Sequence, residues 1–280
     1  MATLHVACAA EGSYDAHSAA MLHSVVGHAA PHRTHVHYLH GPAYPKRSAV
    51  RLGRMLTGLG ALLSFHRIDP DRVAGLPIVD EFTAAMWYRI FLPELVQADR
   101  VLYLDIDTIV ADSLEPLWQI DLSDRYLGAV TNVFQPHHVH RPASLGLVGP
   151  EVYFNSGVLL MNLHEMRHDD STTALQEYAA AHPDLEWPDQ DALNVVLGAR
   201  RLPLHPRWNF MNSMRFPWSA EVFGAEVVEE ARRRPAIRHF EGPDENKPWH
   251  PGSQSDDRAL YLAHRRQTPW RRSRLEGRRL

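Results

Sequence analysis

The strongest constraint on the fold is an alternation of strand-like and helix-like segments over the first 110 residues. TLHVACAA (3–10), HVHYLH (35–40) and LLSFHRI (62–68) read as strands. AHSAAMLHSVVGHA (16–29) and SAVRLGRMLTGLG (48–60) read as the helices between them, and TAAMWYRIFLPEL (83–95) as a helix as far as Pro93. Strand alternating with helix predicts an α/β chain whose mostly parallel central sheet is flanked by helices. Ligands of such sheets collect at the C-terminal ends of the strands.

The next strand carries the most informative residues. In VLYLDIDTIV (101–110), Val101 to Leu104 form a continuous apolar run, as a buried parallel strand does. Residues i and i+2 of a strand share a side, so Asp105 and Asp107 are expected to face one way and Ile106 the other. Two carboxylates this close drive each other toward protonation unless a cation sits between them. The spacing therefore points to a divalent-metal site, with capping aspartates at a strand end as the plainer alternative. AAEGSY (9–14), after the first strand, falls at the same end of the sheet.

Beyond residue 110, YLGAVTNV (126–133) and YFNSGVLLMNL (153–163) read as strands, and LHEMRHDDSTTALQEYAAAH (163–182) contains a helix. DQDALNVVLG (189–198) opens another, with Asp189 as its expected N-cap. With no internal repeat and no low-complexity linker, the expectation is one continuous domain over residues 1–263 and an arginine-rich tail over 264–280. A chain of 280 residues, 45% hydrophobic and 22% charged, can bury a sizeable core and has an ordinary soluble composition. Cys8 is the single cysteine, which excludes an internal disulfide. The N-terminus lacks a basic region followed by a long apolar core, and no apolar stretch approaches the ~20 residues that cross a bilayer. The expected location is the cytoplasm.

The net charge of −4 hides an asymmetry: the last 17 residues carry +6, which leaves −10 on the body. An acidic body excludes nucleic-acid binding as the main task. Arginines interleaved with Trp270, Leu275 and Leu280 suit peripheral contact with an anionic membrane, and a solvated tail is the alternative reading. No Walker A loop occurs, and GLGALL (58–63) lacks the third glycine and the preceding strand of a dinucleotide fingerprint. The HHVH cluster (137–140) invites a zinc reading that we decline, because a short histidine loop without further ligands is more often solvated.

An apolar strand ending in Asp-x-Asp serves two chemistries. A haloacid-dehalogenase-type phosphatase uses the pair as nucleophile and acid, and needs a lysine before a later acidic pair. The two lysines here are Lys46, which precedes the motif, and Lys247, which follows both Asp169–Asp170 and Asp189/Asp191, so the order fails. Transfer of a sugar from a nucleotide carrier uses the pair differently. Breaking the sugar–phosphate bond builds negative charge on the departing diphosphate, and a divalent cation held by the aspartates offsets it.

YDAHSAAMLHSV, TAAMWYRIFLPEL, VLYLDIDTIVADSLEPLW, YFNSGVLLMNL, WPDQDALNVVL, LPLHPRWNF and IRHFEGPDENKPWH span roughly residues 4 to 250. Together and in this order they resemble the glycosyltransferase family 8 enzymes, which include bacterial lipopolysaccharide transferases and the glycogenins. The resemblance implies a GT-A fold and a retaining, metal-dependent transferase. It would move a hexose, glucose or galactose, from a UDP-sugar to make an α-linkage, with Mn²⁺ or Mg²⁺ as cofactor. By the same resemblance His239 joins Asp105 and Asp107 as a metal ligand, and Lys247 contacts the diphosphate. Four residues, PDEN, separate Gly242 from Lys247, where the family usually shows two.

Tyr14 is expected to stack on the base, flanked by Ala9 and Glu11, while Asp105, Ile106 and Ser156 complete the donor-binding set. Arg89 is expected to reach the donor sugar and diphosphate, and Asn155 and Ser156 the sugar hydroxyls. Asp189 and Gln190 fall at the sugar's other face, and Asn132 at a position that shapes sugar choice. Retention by double displacement needs a carboxylate nucleophile. Gln190 is a neutral amide, so a front-face reaction is expected, in which the leaving phosphate oxygen helps deprotonate the acceptor and Asp189 binds a hydroxyl. The acceptor stays open among glycan, lipid-linked, peptide and small-molecule classes. A non-catalytic nucleotide-sugar or glycan-binding protein would be expected to have a broken Asp-x-Asp or no metal histidine, and neither is seen in this chain.

Overall fold

The computed structural model describes residues 3–11, 14–79, 83–149, 152–250, 253 and 258–275. Seven strands form the central sheet: β1 (Thr3–Ala10), β2 (Arg33–His40), β3 (Leu62–Arg67), β4 (Arg100–Leu104), β6 (Leu127–Thr131), β7 (Phe154–Asn162) and β8 (Arg201–Pro203). Their order is β3-β2-β1-β4-β7-β6-β8, and every pairing is parallel except those of β7 with its two neighbours. The remaining strands, β5 (Thr108–Val110) and β9 (Ile237–His239), pair antiparallel in a small second sheet. This is the expected α/β architecture of a single GT-A domain with a mostly parallel sheet.

Strand alternation divides the core. Leu4, Val6, Cys8 and Ala10 of β1 pack into one apolar cluster, with Met21, Leu22 and Val25 of helix α1 (Asp15–Gly27) and Leu52 and Leu56 of helix α2 (Lys46–Gly58). Ala7 and Ala9 point to the other face, against Trp87, Ile90 and Phe91. Period-two alternation on a sheet covered on both sides produces this pattern.

The segment expected to be helical over 83–95 is a 3₁₀ helix over Ala84–Phe91, followed by one α-turn over Leu92–Leu95. Pro93 has no N–H to give the carbonyl of Arg89, and its ring would clash with that carbonyl in an α-helix. The chain uses i→i+3 bonding instead, and the amide of Leu92 donates to Arg89.

The expected boundary at 263/264 falls inside the helix Arg258–Arg266, which packs on α1. Arg265, Thr268 and Trp270 are buried, and the Arg51 guanidinium lies 4.5 Å from the centre of the Trp270 ring. The guanidinium of Arg265 donates to the carbonyls of Ser273 and Arg274 at 2.7 and 2.8 Å. The first part of the arginine-rich segment is thus tied to the body by apolar burial, while Arg271, Arg272 and Arg274 stay exposed. Residues 276–280 of that segment lie outside the described residues. Among the described residues no helix is long and apolar enough to cross a membrane.

Candidate active site at the end of β4

Asp105 and Asp107 meet for a reason that strand periodicity misses. β4 ends at Leu104, and Asp105 to Asp107 form a turn, closed by the amide and hydroxyl of Thr108 donating to the carbonyl of Asp105 at 3.2 and 2.7 Å. The expected i, i+2 side-sharing therefore does not apply. β5 leaves that turn and pairs with β9 in the register Thr108↔His239, and the amide of Phe240 donates to the carbonyl of Asp107 at 2.9 Å. The small second sheet thus carries His239 to the aspartates across 132 positions of sequence.

One ligand atom from each of Asp105, Asp107 and His239 lies within 4.8 Å of the other two. Nε2 of His239 stands 3.3 Å from Oδ1 of Asp107, while its Nδ1 bonds Oδ1 of Asn209 at 2.9 Å. An amide oxygen only accepts, so Nδ1 carries the proton and the Nε2 lone pair faces the aspartates. The amide of Asn209 in turn donates to Oδ1 of Asn155 at 2.8 Å. Burial disfavours charge on both Asp107 and His239, but Lys247 first and His239 second hold the Asp107 carboxyl below its usual range, and Asp107 raises the imidazole's pKa. Nζ of Lys247 sits 2.5 Å from Oδ2 of Asp107 and 2.9 Å from the carbonyl of Phe240. Two hard oxygens and one imidazole suit a divalent cation of the Mg²⁺ or Mn²⁺ kind. Gly157 of β7 leaves the space beside them clear.

Arg89 ties this cluster to a second one. It is only 4% exposed, and its guanidinium contacts Oδ1 of Asp105 at 3.1 Å, Oδ2 of Asp189 at 3.4 Å and the carbonyl of Ser156 at 2.5 Å. The guanidinium also lies 4.3 Å from the centre of the Tyr103 ring, and the Tyr103 hydroxyl donates to Oδ1 of Asp105 at 2.9 Å. Burial opposes the charge of Arg89, but Asp105, Tyr103, Asp189 and Asp107 together raise its pKa.

The helix Pro188–Leu197 supplies the far wall. Its N-cap is Trp187, not Asp189 as expected, because Pro188 with its fixed φ takes the first helical position. The Asp191 carboxylate accepts from the Trp187 amide at 2.9 Å and from the Tyr153 hydroxyl at 2.6 Å, and also pairs with Arg141. Asp189 is thereby freed from capping. It is 6% exposed, and its Oδ2 has no hydrogen-bond partner among the described residues. Burial lifts its pKa to about 6, opposed by Arg89 and reinforced by Asp105.

Next along the helix, Oε1 of Gln190 accepts from the Ser156 amide at 2.9 Å, the Asn155 amide group at 3.2 Å and the Ser156 hydroxyl at 3.3 Å. Its Nε2 donates to the Tyr153 hydroxyl at 3.3 Å. The amide is held at both ends.

At the end of β1, Ala9 is buried beside β2, and Glu11 accepts a hydrogen bond from the hydroxyl of Tyr88. Tyr14 opens α1, its carbonyl accepting from the amides of His17 and Ser18 at 3.0 and 2.9 Å. Between Glu11 and Tyr14, Gly12 and Ser13 of AAEGSY lie outside the described residues. Ile106 packs against the first apolar cluster, and the amide of Asn132 donates to the Tyr153 carbonyl at 2.9 Å.

The contacts above therefore bring Asp105, Asp107, His239, Lys247, Arg89, Asp189, Gln190, Asn155 and Ser156 into one connected group. Sequence reasoning passed over Tyr103, Gly157, Asn209 and Asp191. Tyr103 lies two residues before Asp105 in an apolar strand, a signal that could have been read. Asn209 stands in LPLHPRWNF, a stretch noticed as a whole but not residue by residue.

Comparisons with known proteins agree with this architecture. The galactosyltransferase LgtC, solved with donor and acceptor sugar analogues, superposes with a TM-score of 0.85 at 27% identity, covering 96% of this chain and 99% of that one. General stress protein A of Bacillus subtilis is 26% identical over 275 residues, which is 95% of this chain and 94% of that protein. The lipopolysaccharide glucosyltransferase WaaO of Escherichia coli is 27% identical over 226 residues, 76% of this chain and 63% of the relative. Residues 5–252 match the profile of glycosyl transferase family 8, and the chain belongs to that family of glycosyltransferases.

Proposed function

We propose that this glycosyltransferase is metal-dependent and retaining, moving a hexose from a UDP-sugar to an acceptor in α-linkage. The observation that carries the reading is the convergence of Asp105, Asp107 and His239, with ligand atoms within 4.8 Å, beside a buried carboxylate that lacks a hydrogen-bond partner among the described residues. LgtC, a galactosyltransferase, and WaaO, a glucosyltransferase, support the choice between galactose and glucose.

Asp105, Asp107 and His239 would hold Mn²⁺ or Mg²⁺, which when bound would offset the charge that develops on the departing diphosphate. Lys247 would turn from Asp107 toward the phosphates as a point charge. Asp189 Oδ2 would accept a hydrogen bond from a donor hydroxyl, because a buried oxygen that faces Arg89 without a hydrogen bond gains most from such a donor. Arg89 would hold the carboxylates of Asp105 and Asp189 apart and charged while the donor binds. Gln190 contributes no anionic nucleophile, since its oxygen is an amide oxygen already bonded to Asn155 and Ser156. That supports a front-face reaction in which the acceptor proton passes to the leaving phosphate oxygen. Tyr14, with Ala9 and Glu11 beside it, would hold the base.

Calorimetric titration of a panel of nucleotide sugars, with and without Mn²⁺, tests the reading on wild type and Asp107→Ala. One UDP-sugar should bind, and lose its affinity when either the metal or the Asp107 carboxylate is removed. Binding that ignores both would overturn metal dependence, and no binding by any nucleotide sugar would overturn the donor class.

A further inference from the structure

A second cluster of metal-ligating side chains lies near the other end of the sheet. His5 of β1 pairs with His35 of β2, and His37 stands two residues further along on the same face. One ring nitrogen from each of His5, His35 and His37 lies within 4.8 Å of the other two. Nδ1 of His5 is 3.0 Å from Nε2 of His37, and Nδ1 of His37 is 3.0 Å from Nε2 of His66 on β3. Nε2 of His35 sits 2.9 Å from Oγ of Ser64. His37 is 5% exposed, whereas His5, His35 and His66 are half-buried, so the cluster is open to solvent on one side. Ala7 and Ala9 on the same face separate it from the aspartates, roughly 15 Å away by the ~3.3 Å rise of each strand residue.

We propose that His5, His35 and His37 form a second metal site, for a borderline divalent transition ion of the zinc, nickel or copper kind. Three imidazoles without a carboxylate favour those ions over Mg²⁺ or Mn²⁺, which prefer oxygen ligands. Nitrogens bound at ~2.0–2.1 Å to one tetrahedral ion stand about 3.4 Å apart, a spacing that the 3.0 Å between His5 and His37 and the 4.8 Å limit on the trio admit. The open side admits water as a fourth ligand. Burial, reinforced by neighbouring imidazoles, lowers the pKa of His37 to about 3, and burial also lowers those of His5 and His35. The Nδ1 of His37 can donate to His66 while its Nε2 lone pair faces the metal, an outer-shell bond of the kind that orients ligating histidines. Without a metal, the same rings form a stack joined by hydrogen bonds.

The test is titration of the chelator-stripped full chain with Co²⁺, followed by absorption spectroscopy and equilibrium dialysis. Wild type, His5→Gln, His35→Gln and Asp107→Asn should be compared, with folding checked by circular dichroism. His5→Gln and His35→Gln are expected to lose one equivalent of Co²⁺ together with the intense visible bands of a tetrahedral nitrogen site. Asp107→Asn should keep those bands, which separates this cluster from the proposed catalytic metal. His66→Gln should weaken the site by roughly ten- to a hundredfold. Equal stoichiometry and identical spectra for wild type and both ligand variants would overturn the proposal and leave a hydrogen-bonded histidine stack. His5→Gln should also retain donor hydrolysis, since no group of the candidate active site touches His5.

Discussion

Gly157 lets the imidazole of His239 lie directly against the backbone of β7: a Cβ at position 157 would stand 2.9 Å from Nδ1 of His239 and 2.8 Å from Oδ2 of Asp105. Real Cβ atoms do not come that close, so a side chain here must displace one of the candidate metal ligands. Those ligands converge only because one strand beside them carries no side chain at that level.

Gly157→Ala should therefore cost far more activity than stability. A displacement of about 1 Å at a reacting centre can cost on the order of 100-fold in rate. Donor hydrolysis and Mn²⁺ affinity should both fall by at least that order, while the thermal midpoint shifts modestly. Unchanged metal affinity would show that His239 and Asp105 do not bind one ion together.

Asp189 gives a pH prediction with a definite sign. Its carboxyl titrates near 3.8 unfolded and about 6 in the folded chain. Between those values the folded state holds a proton that the unfolded state has lost, so stability falls as pH rises through this window. Above about pH 6 the cost is complete, of order 1–3 kcal/mol. Asp189→Asn should match wild type near pH 4 and exceed it by that amount at pH 7 in urea denaturation of metal-free protein. Parallel curves at the two pH values would contradict a carboxylate held at a raised pKa by burial.

Arg89 bridges Asp105 and Asp189. Removing the shared cation leaves two carboxylates without it, at a cost of about 3–5 kcal/mol, whereas loss of Asp189 still leaves Arg89 paired with Asp105. Arg89→Met should lower stability by that order at pH 7, and Asp189→Asn in the same chain should recover part of the loss. A double variant no better than Arg89→Met alone would mean that the two residues are not coupled.

The arginine-rich C-terminal segment separates into a packed part and an exposed part. Trp270 is buried against Arg51, and Trp270→Ala should cost about 3–5 kcal/mol, as large-to-small core changes do. Deleting residues 264–280 would remove this contact too, and so cannot isolate a membrane role. Replacing the exposed Arg271, Arg272 and Arg274 with glutamine leaves the packing intact. If the segment docks on anionic lipid, the triple variant should lose about 1 kcal/mol per arginine, roughly a hundredfold in partitioning to vesicles that contain phosphatidylserine. Equal partitioning by wild type and the triple variant would remove the membrane reading.

Much of the fold was legible in the sequence because local patterns dictate it. The apolar runs of β1 to β4 and the helices between them follow from residue periodicity, which any window of the chain displays. The Asp-x-Asp pair announced itself through charge placed at the end of an apolar strand. The break near Arg89 was readable in principle from Pro93, since a missing N–H acts within one turn, whereas the 3₁₀ form of the residues before it was not. Trp187 rather than Asp189 capping its helix follows equally from Pro188.

Only the tertiary structure decided which residues meet. The register of β5 on β9 brings His239 to Asp107, and β7 running antiparallel beside β4 sets Gly157 next to Asp105. Pairings between distant strands depend on the closure of the whole sheet, and no local pattern encodes them. The four histidines of β1, β2 and β3 are likewise scattered in sequence and gathered by strand register. Periodicity and composition thus determined the elements and the class of chemistry, while contacts across the sheet determined the site, because burial and charge act between neighbours in space.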